Sequence, residues 1–205
     1  MGLEKYLPAE LLELYEVHDY RHAAAILTAE FSEEATDLFQ SLKTFRFTVE
    51  QVKARGGNES EIPKEFSKLL RPRWKPENLN AELKIDGKPV KMETHEIDYV
   101  RGRIAFDLEW NSKDQTFDRD LYVFSEFHRY GKISVGVLVT RSEELNPFFA
   151  SLGTYTDDRG RSMKYSAKYG ASTTHMGQLL WRLEAGRSGG CPVLVFGITT
   201  KLLKK

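Results

Sequence analysis

The sequence predicts an α/β fold in which a mixed β-sheet is flanked by helices. Apolar residues recur at helical spacing near the N-terminus, their period shortens towards two from Ala81 onwards, and two later segments are almost wholly apolar. With 205 residues and 40% hydrophobic content, the chain is long enough for one buried core. We therefore expect one domain over 1–205, with a helical part and connector in 1–80 and the main sheet in 81–205.

The N-terminal half of the sequence changes character twice. Residues 8–43 are predicted to be helical, because apolar side chains recur there at helical spacing among charges. Glycines, and then the basic and prolyl segment LLRPRWKPENLN, indicate a connector over 55–80. Strands are predicted next in AELKID, KPVKMETHEIDYV and RIAFDLEW, where apolar and polar residues alternate.

The C-terminal half is predicted to alternate helices with buried strands. Residues 118–130 have helical spacing, and Gly131 is typical of a helix end. KISVGVLV and CPVLVFGI are apolar enough for strands buried on both faces. A long polar loop is expected after the first of these strands, followed by a helix from Ser172 to Glu184. Acids near the start of the first helix are interpreted as helix-start residues, namely Asp114, Asp118 and Asp120.

Composition limits the partners and the location. Lys plus Arg and Asp plus Glu both number 30, so any affinity for nucleic acid must come from local segregation of charge. The single cysteine, Cys191, cannot form an internal disulfide, and we expect a buried thiol. No apolar stretch approaches the roughly 20 residues of a membrane span, and the N-terminus is charged, so we expect a cytoplasmic protein without membrane contact.

The segment EIDYVRGRIAFDLEW contains the candidate catalytic residues. If RIAFDLEW forms a strand, Asp107 and Glu109 lie on one face of it, next to the small Ala105. A two-residue hairpin at Arg101-Gly102 would then place Asp98 opposite Ala105, on the same face. Clustered carboxylates repel one another unless a cation compensates them, and Mg²⁺ binds carboxylates and phosphate oxygens together. The alternative is that these are ordinary acids on a solvated face of the sheet.

This arrangement resembles the PD-(D/E)xK nuclease core, in which a metal-binding Asp ends one strand and an acid-x-(Lys, Gln or Glu) triplet lies on the next. More specifically, the chain resembles type II restriction endonucleases of the BglII and BstYI type. The resemblance runs in order through HDYRHAAAILTAEF, LLRPRW, DYVRGRIAFDLEW, DLYVFSEFHRYGKISVGVLV and CPVLVFGI. It is weakest over 43–65 and 141–170, and it implies a restriction-endonuclease-like catalytic core in 81–205 with N-terminal helices.

The resemblance implies Mg²⁺-dependent hydrolysis of double-stranded DNA. Asp98 and Asp107 match the two acidic metal ligands, and together with Glu109 they match the catalytic set. Glu109 occupies the third motif position, where the wider superfamily usually carries Lys and the close family carries Gln. A Glu there can bind a second metal ion or accept a proton from the attacking water, but it cannot stabilise the attacking oxygen as a cation would. The number of metal ions stays open.

Three groups of residues are candidates for DNA contact. They are Arg71, Arg73 and Lys75 in the connector, Arg159 and Arg161 in the long loop, and Ser172, Thr173 and Thr174 at the start of the last helix. The basic residues suit phosphate contact, and the hydroxyl residues match the family segment that reaches bases in the major groove. The alternatives are a solvated basic loop with a half-buried Trp74, and helix capping by the hydroxyls.

The resemblance also implies partners. A palindrome cut on both strands requires two active sites related by a twofold axis, and therefore a homodimer. A cognate DNA methyltransferase is expected in the same system. Two alternatives stay open: a DNA repair or junction-resolving nuclease with the same core, and a DNA-binding module without catalytic activity. Divalent-ion-dependent loss of intact DNA separates the nucleases from the binding module.

Overall fold

The computed structural model describes residues 2–54, 60–79, 83–90, 95–157 and 159–204. The α-helices are α1 Ala9–Leu14, α2 Ala23–Glu30, α3 Ser32–Thr44, α4 Val49–Lys53, α5 Glu61–Leu70, α6 Thr116–Arg129, α7 Leu145–Ser151, α8 Tyr165–Lys168 and α9 Met176–Glu184. The strands are β1 Tyr15–Tyr20, β2 Lys75–Leu79, β3 Leu83–Ile85, β4 Lys88–Val90, β5 His95–Arg101, β6 Ile104–Glu109, β7 Val135–Arg141, β8 Thr154–Thr156, β9 Ser162–Lys164 and β10 Val193–Ile198. Short 3₁₀ turns lie at Leu3–Lys5 and Thr200–Leu202.

A mixed sheet of six strands organises the molecule, in the order β1-β10-β7-β6-β5-β2. The central strands β10, β7 and β6 are parallel, whereas the outer neighbours pair antiparallel. Every residue of β7 and β10 is buried, as their apolar sequences predicted. The predicted α/β class with a mixed sheet flanked by helices is confirmed.

Helices cover both faces of this sheet. The N-terminal helices bury residues such as Leu38 and Phe66 on one face, against Phe106 of β6. On the other face, α6 and α9 bury Leu121 and Leu179. Each large apolar side chain removed from water contributes roughly 1.5–3 kcal/mol, so the two layers fix β6 from both sides.

The prediction that residues 8–43 are helical is wrong at β1. This strand pairs antiparallel with β10, from Tyr15 opposite Ile198 to Tyr20 opposite Val193. It satisfies backbone groups that β10 would otherwise leave unpaired, a long-range demand that helical spacing does not reveal. The hydroxyl of the buried Tyr15 donates to the carbonyl oxygen of Leu42, 2.8 Å away, and joins the strand to α3.

The predicted connector is also more ordered than expected. It contains α5, whose buried Ile62, Phe66 and Leu70 recur every four residues, and the edge strand β2. Trp74 is fully buried, and its Nε1 donates to Asp37 Oδ2 at 2.7 Å, so the expectation of a half-buried Trp is wrong. Residues 55–59 and 80–82 lie outside the described residues, as do 91–94 within the second predicted strand.

Later elements match the predictions in part. Helix α6 ends before Gly131, whose φ of +68° suits glycine at a helix end. The predicted long loop after β7 contains α7, the β8–β9 hairpin and α8. The last helix begins at Met176 instead of Ser172. Within the described ranges, none of the helices has both the length and the apolar character that crossing a bilayer requires.

Candidate active site

Strand β6 places two acids side by side. Asp107 and Glu109 are two residues apart, so their side chains leave the same face of the strand. They pair in parallel register with Leu138 and Thr140 of the buried β7. The Thr140 hydroxyl donates to the carbonyl oxygen of Glu109 at 2.8 Å. The backbone under both carboxylates is therefore held by a strand with little freedom to move.

Helix α6 adds a third acid, Asp120. Carboxylate oxygens of Asp107, Glu109 and Asp120 lie within 4.8 Å of one another. Asp120 is only 3% exposed and lies beyond the first turn of α6, so its interpretation as a helix-start residue is wrong. The sequence did contain a signal, because Asp120 lies at helical spacing between the buried Phe117 and Phe124. An acid on the apolar face of a helix indicates a site that compensates its charge.

The hairpin before β6 turns one residue later than predicted. Its turn is at Gly102-Arg103, where Gly102 has a φ of +55°, and not at Arg101-Gly102. Tyr99 therefore pairs with Phe106. The predicted register is wrong by two residues. Because side chains alternate with a period of two, a shift of two leaves the predicted face unchanged.

Asp98 borders the acid cluster without belonging to its tightest group. Continuing the observed register places it opposite Asp107 instead of opposite Ala105. The pairing of β5 with β2 shifts register beside it, between the partners of Lys75 and Glu77. Such irregularities re-aim side chains and are frequent next to active sites. Asp98 is exposed and lines the same cleft as Asp107 and Glu109.

The acids raise one another's pKa. Burial raises the pKa of Asp107 well above its usual range, and the charges of the neighbouring acids add to this effect. Burial also raises the pKa of Glu109, whereas a hydrogen bond from Ser112 and the charge of Arg119 lower it. For Asp120, burial and then the charge of Glu109 raise the pKa to about 7. The cluster is costly to ionise without a nearby cation.

A buried carboxylate oxygen of the cluster has no hydrogen-bond partner among the described residues. Asp120 Oδ1 accepts hydrogen bonds from Arg119 Nε at 3.1 Å and Nη2 at 2.9 Å. Asp120 Oδ2 is buried, and no described residue donates to it. The guanidinium of Arg119 also lies 3.8 Å from Glu109 Oε1. Unpaired buried oxygens next to other carboxylates fit a hard divalent cation such as Mg²⁺, which prefers oxygen ligands.

Asp98, Asp107 and Glu109 line a cleft of about 230 Å³. Its wall is completed by residues that include Gln51, Ser67, Tyr99, Trp110, Lys168 and Tyr169. Lys168 Nζ donates to the carbonyl oxygens of Val52 and Ala54, so this cation is tied to the end of α4. The cleft thus combines an acidic floor with polar and aromatic walls.

The predicted DNA contacts of the connector flank β5. Arg71 lies over the ring of Tyr99, with its Cζ 5.7 Å from the ring centre. Arg73 pairs with Asp37 at 2.6 Å yet keeps most of its side chain exposed. Lys75 is exposed at the start of β2. These cations share one edge of the sheet, but the aromatic residue among them, Trp74, is buried and cannot contact DNA.

The remaining predicted contacts differ in accessibility. Arg159 and Arg161 are exposed in the turn of the β8–β9 hairpin, where both backbone N–H groups donate to Asp157 Oδ1. Ser172 is exposed, whereas Thr174 is fully buried. The Thr173 hydroxyl donates to the carbonyl oxygen of Gly170 at 2.7 Å. Helix α9 starts after these hydroxyl residues, so they form a loop and not its first turn.

Comparison with known protein families identifies the chain. A family model described as Restriction endonuclease BglII/BglIII matches residues 15–198 of the 205. The chain belongs to this family. No curated protein matches it. The BglII/BglIII match begins with β1 and ends with β10, so it includes the whole central sheet and the acid cluster.

Membership of the BglII/BglIII family defines the activity in general terms. The chain is a type II restriction endonuclease, a site-specific deoxyribonuclease that cleaves DNA at particular sequences. Such enzymes bind DNA and generally depend on metal ions, and the cluster of Asp107, Glu109 and Asp120 offers carboxylate ligands for one. The resemblance noted from the sequence is confirmed, as is the restriction-endonuclease-like fold.

Proposed function

We propose that the protein cleaves both strands of a short DNA palindrome as a homodimer, using Mg²⁺ held at Asp98 and Asp107, with Glu109 as the third catalytic residue. The observation that carries this proposal is the convergence of carboxylate oxygens of Asp107, Glu109 and Asp120 within 4.8 Å of one another. In a type II restriction endonuclease, such a cluster on the sheet is best explained as the centre that hydrolyses the phosphodiester bond.

Asp120 extends the ligand set that the sequence predicted. Its unpaired Oδ2 is buried beside Asp107 and Glu109, and Asp98 borders the same cleft. When bound, Mg²⁺ would polarise a phosphate oxygen and lower the pKa of a bound water. The positions of the carboxylate oxygens are fixed, because β6 and α6 are both packed into the core. We include Asp120 among the residues that hold the ion.

Glu109 and Arg119 would together replace the Lys that the wider superfamily usually carries at the third motif position. Glu109 can accept a proton from the attacking water, since burial raises its pKa and makes its carboxylate a stronger base. Arg119 lies 3.8 Å from Glu109 Oε1 and is 65% exposed, so it supplies a positive charge at the mouth of the cluster. A cation there stabilises the negative charge that develops on the phosphate.

The DNA would lie across the cleft, between the sheet edge that carries Arg71, Arg73 and Lys75 and the loop before α9. The exposed cations suit phosphate contact, namely Arg71, Arg73 and Lys75 at the edge of the sheet and Arg159 and Arg161 in the β8–β9 hairpin. In the hydroxyl segment, Ser172 is the accessible residue, and Thr173 and Thr174 would contribute by holding its loop. Base contact by this loop is part of the proposal.

A twofold assembly completes the proposal. Tyr122 on α6 and Trp181 on α9 are exposed, whereas Phe124, Phe127 and Leu179 are buried in the protein's own core. We therefore propose that Tyr122 and Trp181 contact a second copy of the chain. A cognate DNA methyltransferase would protect host DNA at the same sites, and both enzymes would act in the cytoplasm.

The deciding experiment is digestion of a plasmid of known sequence. We expect discrete fragments with Mg²⁺, none with EDTA or with Ca²⁺ alone, and none with Asp107→Asn. Sequencing the fragment ends should give one palindromic site. A preference for branched or distorted DNA would favour the repair or junction-resolving alternative. Binding without any Mg²⁺-dependent cleavage would contradict the catalytic assignment and favour a DNA-binding module.

A further inference from the structure

Arg141 is a buried cation at the end of β7, the strand that pairs with β6. It is 1% exposed, and burial lowers its pKa to about 10. Its Nε donates to the carbonyl oxygen of Thr174 at 3.0 Å, and its Nη2 donates to the Thr173 hydroxyl at 2.6 Å. Its Cζ lies 5.5 Å from the ring centre of Phe149 and 5.2 Å from that of Tyr169. All of these contacts are with neutral groups. The two hydrogen bonds hold the guanidinium against Thr173 and Thr174, in the loop before α9.

The same loop is tied a second time to the segment that follows β6. Thr174 N–H donates to the carbonyl oxygen of Ser112 at 2.9 Å, and Ser112 N–H donates to Thr174 Oγ1 at 3.2 Å. Asp114 N–H donates to the carbonyl oxygen of Ser172 at 3.2 Å. Loop 170–175 and segment 112–114 therefore form a short two-stranded contact.

Both ties lead to Glu109. Ser112 lies three residues after Glu109, and its side chain lowers the pKa of the Glu109 carboxyl group against the effect of burial. Thr140, the neighbour of Arg141 on β7, donates its hydroxyl proton to the carbonyl oxygen of Glu109. A displacement of loop 170–175 is thus transmitted to the side chain of Glu109 through Ser112 and to its backbone through β7.

We propose that Arg141 is a positioning residue that, together with Thr174, couples DNA contact by loop 170–175 to the placement of the Glu109 carboxylate. This inference rests on the proposed role of the loop at the DNA. A guanidinium suits the task because its planar fork binds two acceptors at once, whereas a Lys ammonium cannot hold that geometry. Because the arginine is buried, losing one acceptor also leaves an unsatisfied polar group, which keeps the loop in a single arrangement.

Two variants test the coupling, with one matched control. Arg141→Lys keeps the charge and loses the fork, and Thr174→Val keeps the shape and removes the acceptor for Ser112 N–H. Arg46→Lys is the control, because Arg46 also donates to backbone carbonyl oxygens, those of Lys43 and Phe45, outside this loop. Three quantities are measured: affinity for the cognate duplex in Ca²⁺, the single-turnover cleavage rate in Mg²⁺, and amide hydrogen exchange of 108–114 with and without DNA in metal-free buffer.

We expect cognate DNA to slow exchange over 108–114 in the unmodified protein and in Arg46→Lys. In Arg141→Lys and Thr174→Val this slowing should be lost, and the cleavage rate should fall at least about tenfold while affinity changes less than about threefold. A merely structural role would lower rate and affinity together, and that result overturns the proposal. Variants that match Arg46→Lys in all three measurements also overturn the proposal. If Arg141→Lys does not fold, Thr174→Val decides alone. Absence of cleavage by the unmodified protein would instead contradict the proposed function.

Discussion

Replacing Asp120 by Asn should stabilise the metal-free protein and weaken its stabilisation by divalent ions. Burial raises the pKa of this carboxyl from 3.8 to about 7. Well below pH 3.8 the group is protonated in both the folded and the unfolded chain. As the pH rises, the unfolded chain ionises first, so the free energy of unfolding falls until the pH passes about 7.

The size of the effect follows from that pKa. Each pH unit between the two pKa values corresponds to about 1.4 kcal/mol, so ionised Asp120 costs up to about 4 kcal/mol at pH 8. Asn avoids this cost. The pKa of about 7 already includes the lowering effect of Arg119, so losing the charge-assisted bonds takes nothing further from the gain. We expect a net gain of up to about 4 kcal/mol, or roughly 8–16 °C in the unfolding temperature of a chain of this size.

The assay is thermal unfolding from pH 5 to pH 8, first with EDTA and then with Ca²⁺. Asp118→Asn is the matched control on the same helix. Burial raises the pKa of Asp118, but hydrogen bonds from Arg182 and Arg187 lower it overall, so its loss should destabilise the protein above pH 4. The reasoning is refuted if Asp120→Asn destabilises the metal-free protein at pH 8 as Asp118→Asn does. Equal stabilisation of wild type and Asp120→Asn by Ca²⁺ would show that Asp120 does not contact the ion.

Asp98→Asn and Asp107→Asn should each abolish Mg²⁺-dependent cleavage while cognate binding in Ca²⁺ persists; cleavage near the wild-type rate would contradict the assignment. Glu109→Gln should retain more activity than either, because the close family carries Gln there, and complete inactivity would show that the carboxylate itself is required. Arg71→Ala should weaken binding to all sequences and flatten its salt dependence, which titrations at several salt concentrations measure. Ser172→Ala should instead reduce discrimination between the cognate duplex and single-base variants by about 1–3 kcal/mol, and equal weakening on every duplex would argue against base contact.

Local sequence patterns predicted the elements whose environment is uniform. Strands β7 and β10 are buried on both faces, so their apolar runs identify them directly. The shared face of Asp107 and Glu109 follows from strand alternation alone. The face of Asp98 was predicted correctly for the same reason, although the hairpin register was wrong by two residues.

Features that depend on distant partners could not be predicted. Strand β1 exists because β10, at the other end of the sequence, offers it an edge. Thr174 resembles a helix cap in the sequence, but Ser112 and Arg141 bind it away from the helix start. Trp74 is flanked by cationic residues in the sequence, yet its indole is buried and donates a hydrogen bond to Asp37. In each case a long-range contact overrides the local pattern.

The position of β10 between β1 and β7 has a consequence for how the protein is made. Strand β7 pairs with β6, the strand that carries Asp107 and Glu109. Its other neighbour, β10, is the last strand of the sheet to be synthesised. Pairing over such sequence separations is slow, since loop closure must precede the favourable contacts. On the ribosome, a growing chain therefore carries the acidic residues long before it can assemble the sheet that aligns them. We expect nascent chains to be unable to cut DNA until β10 has been synthesised, which delays the hazard to the host.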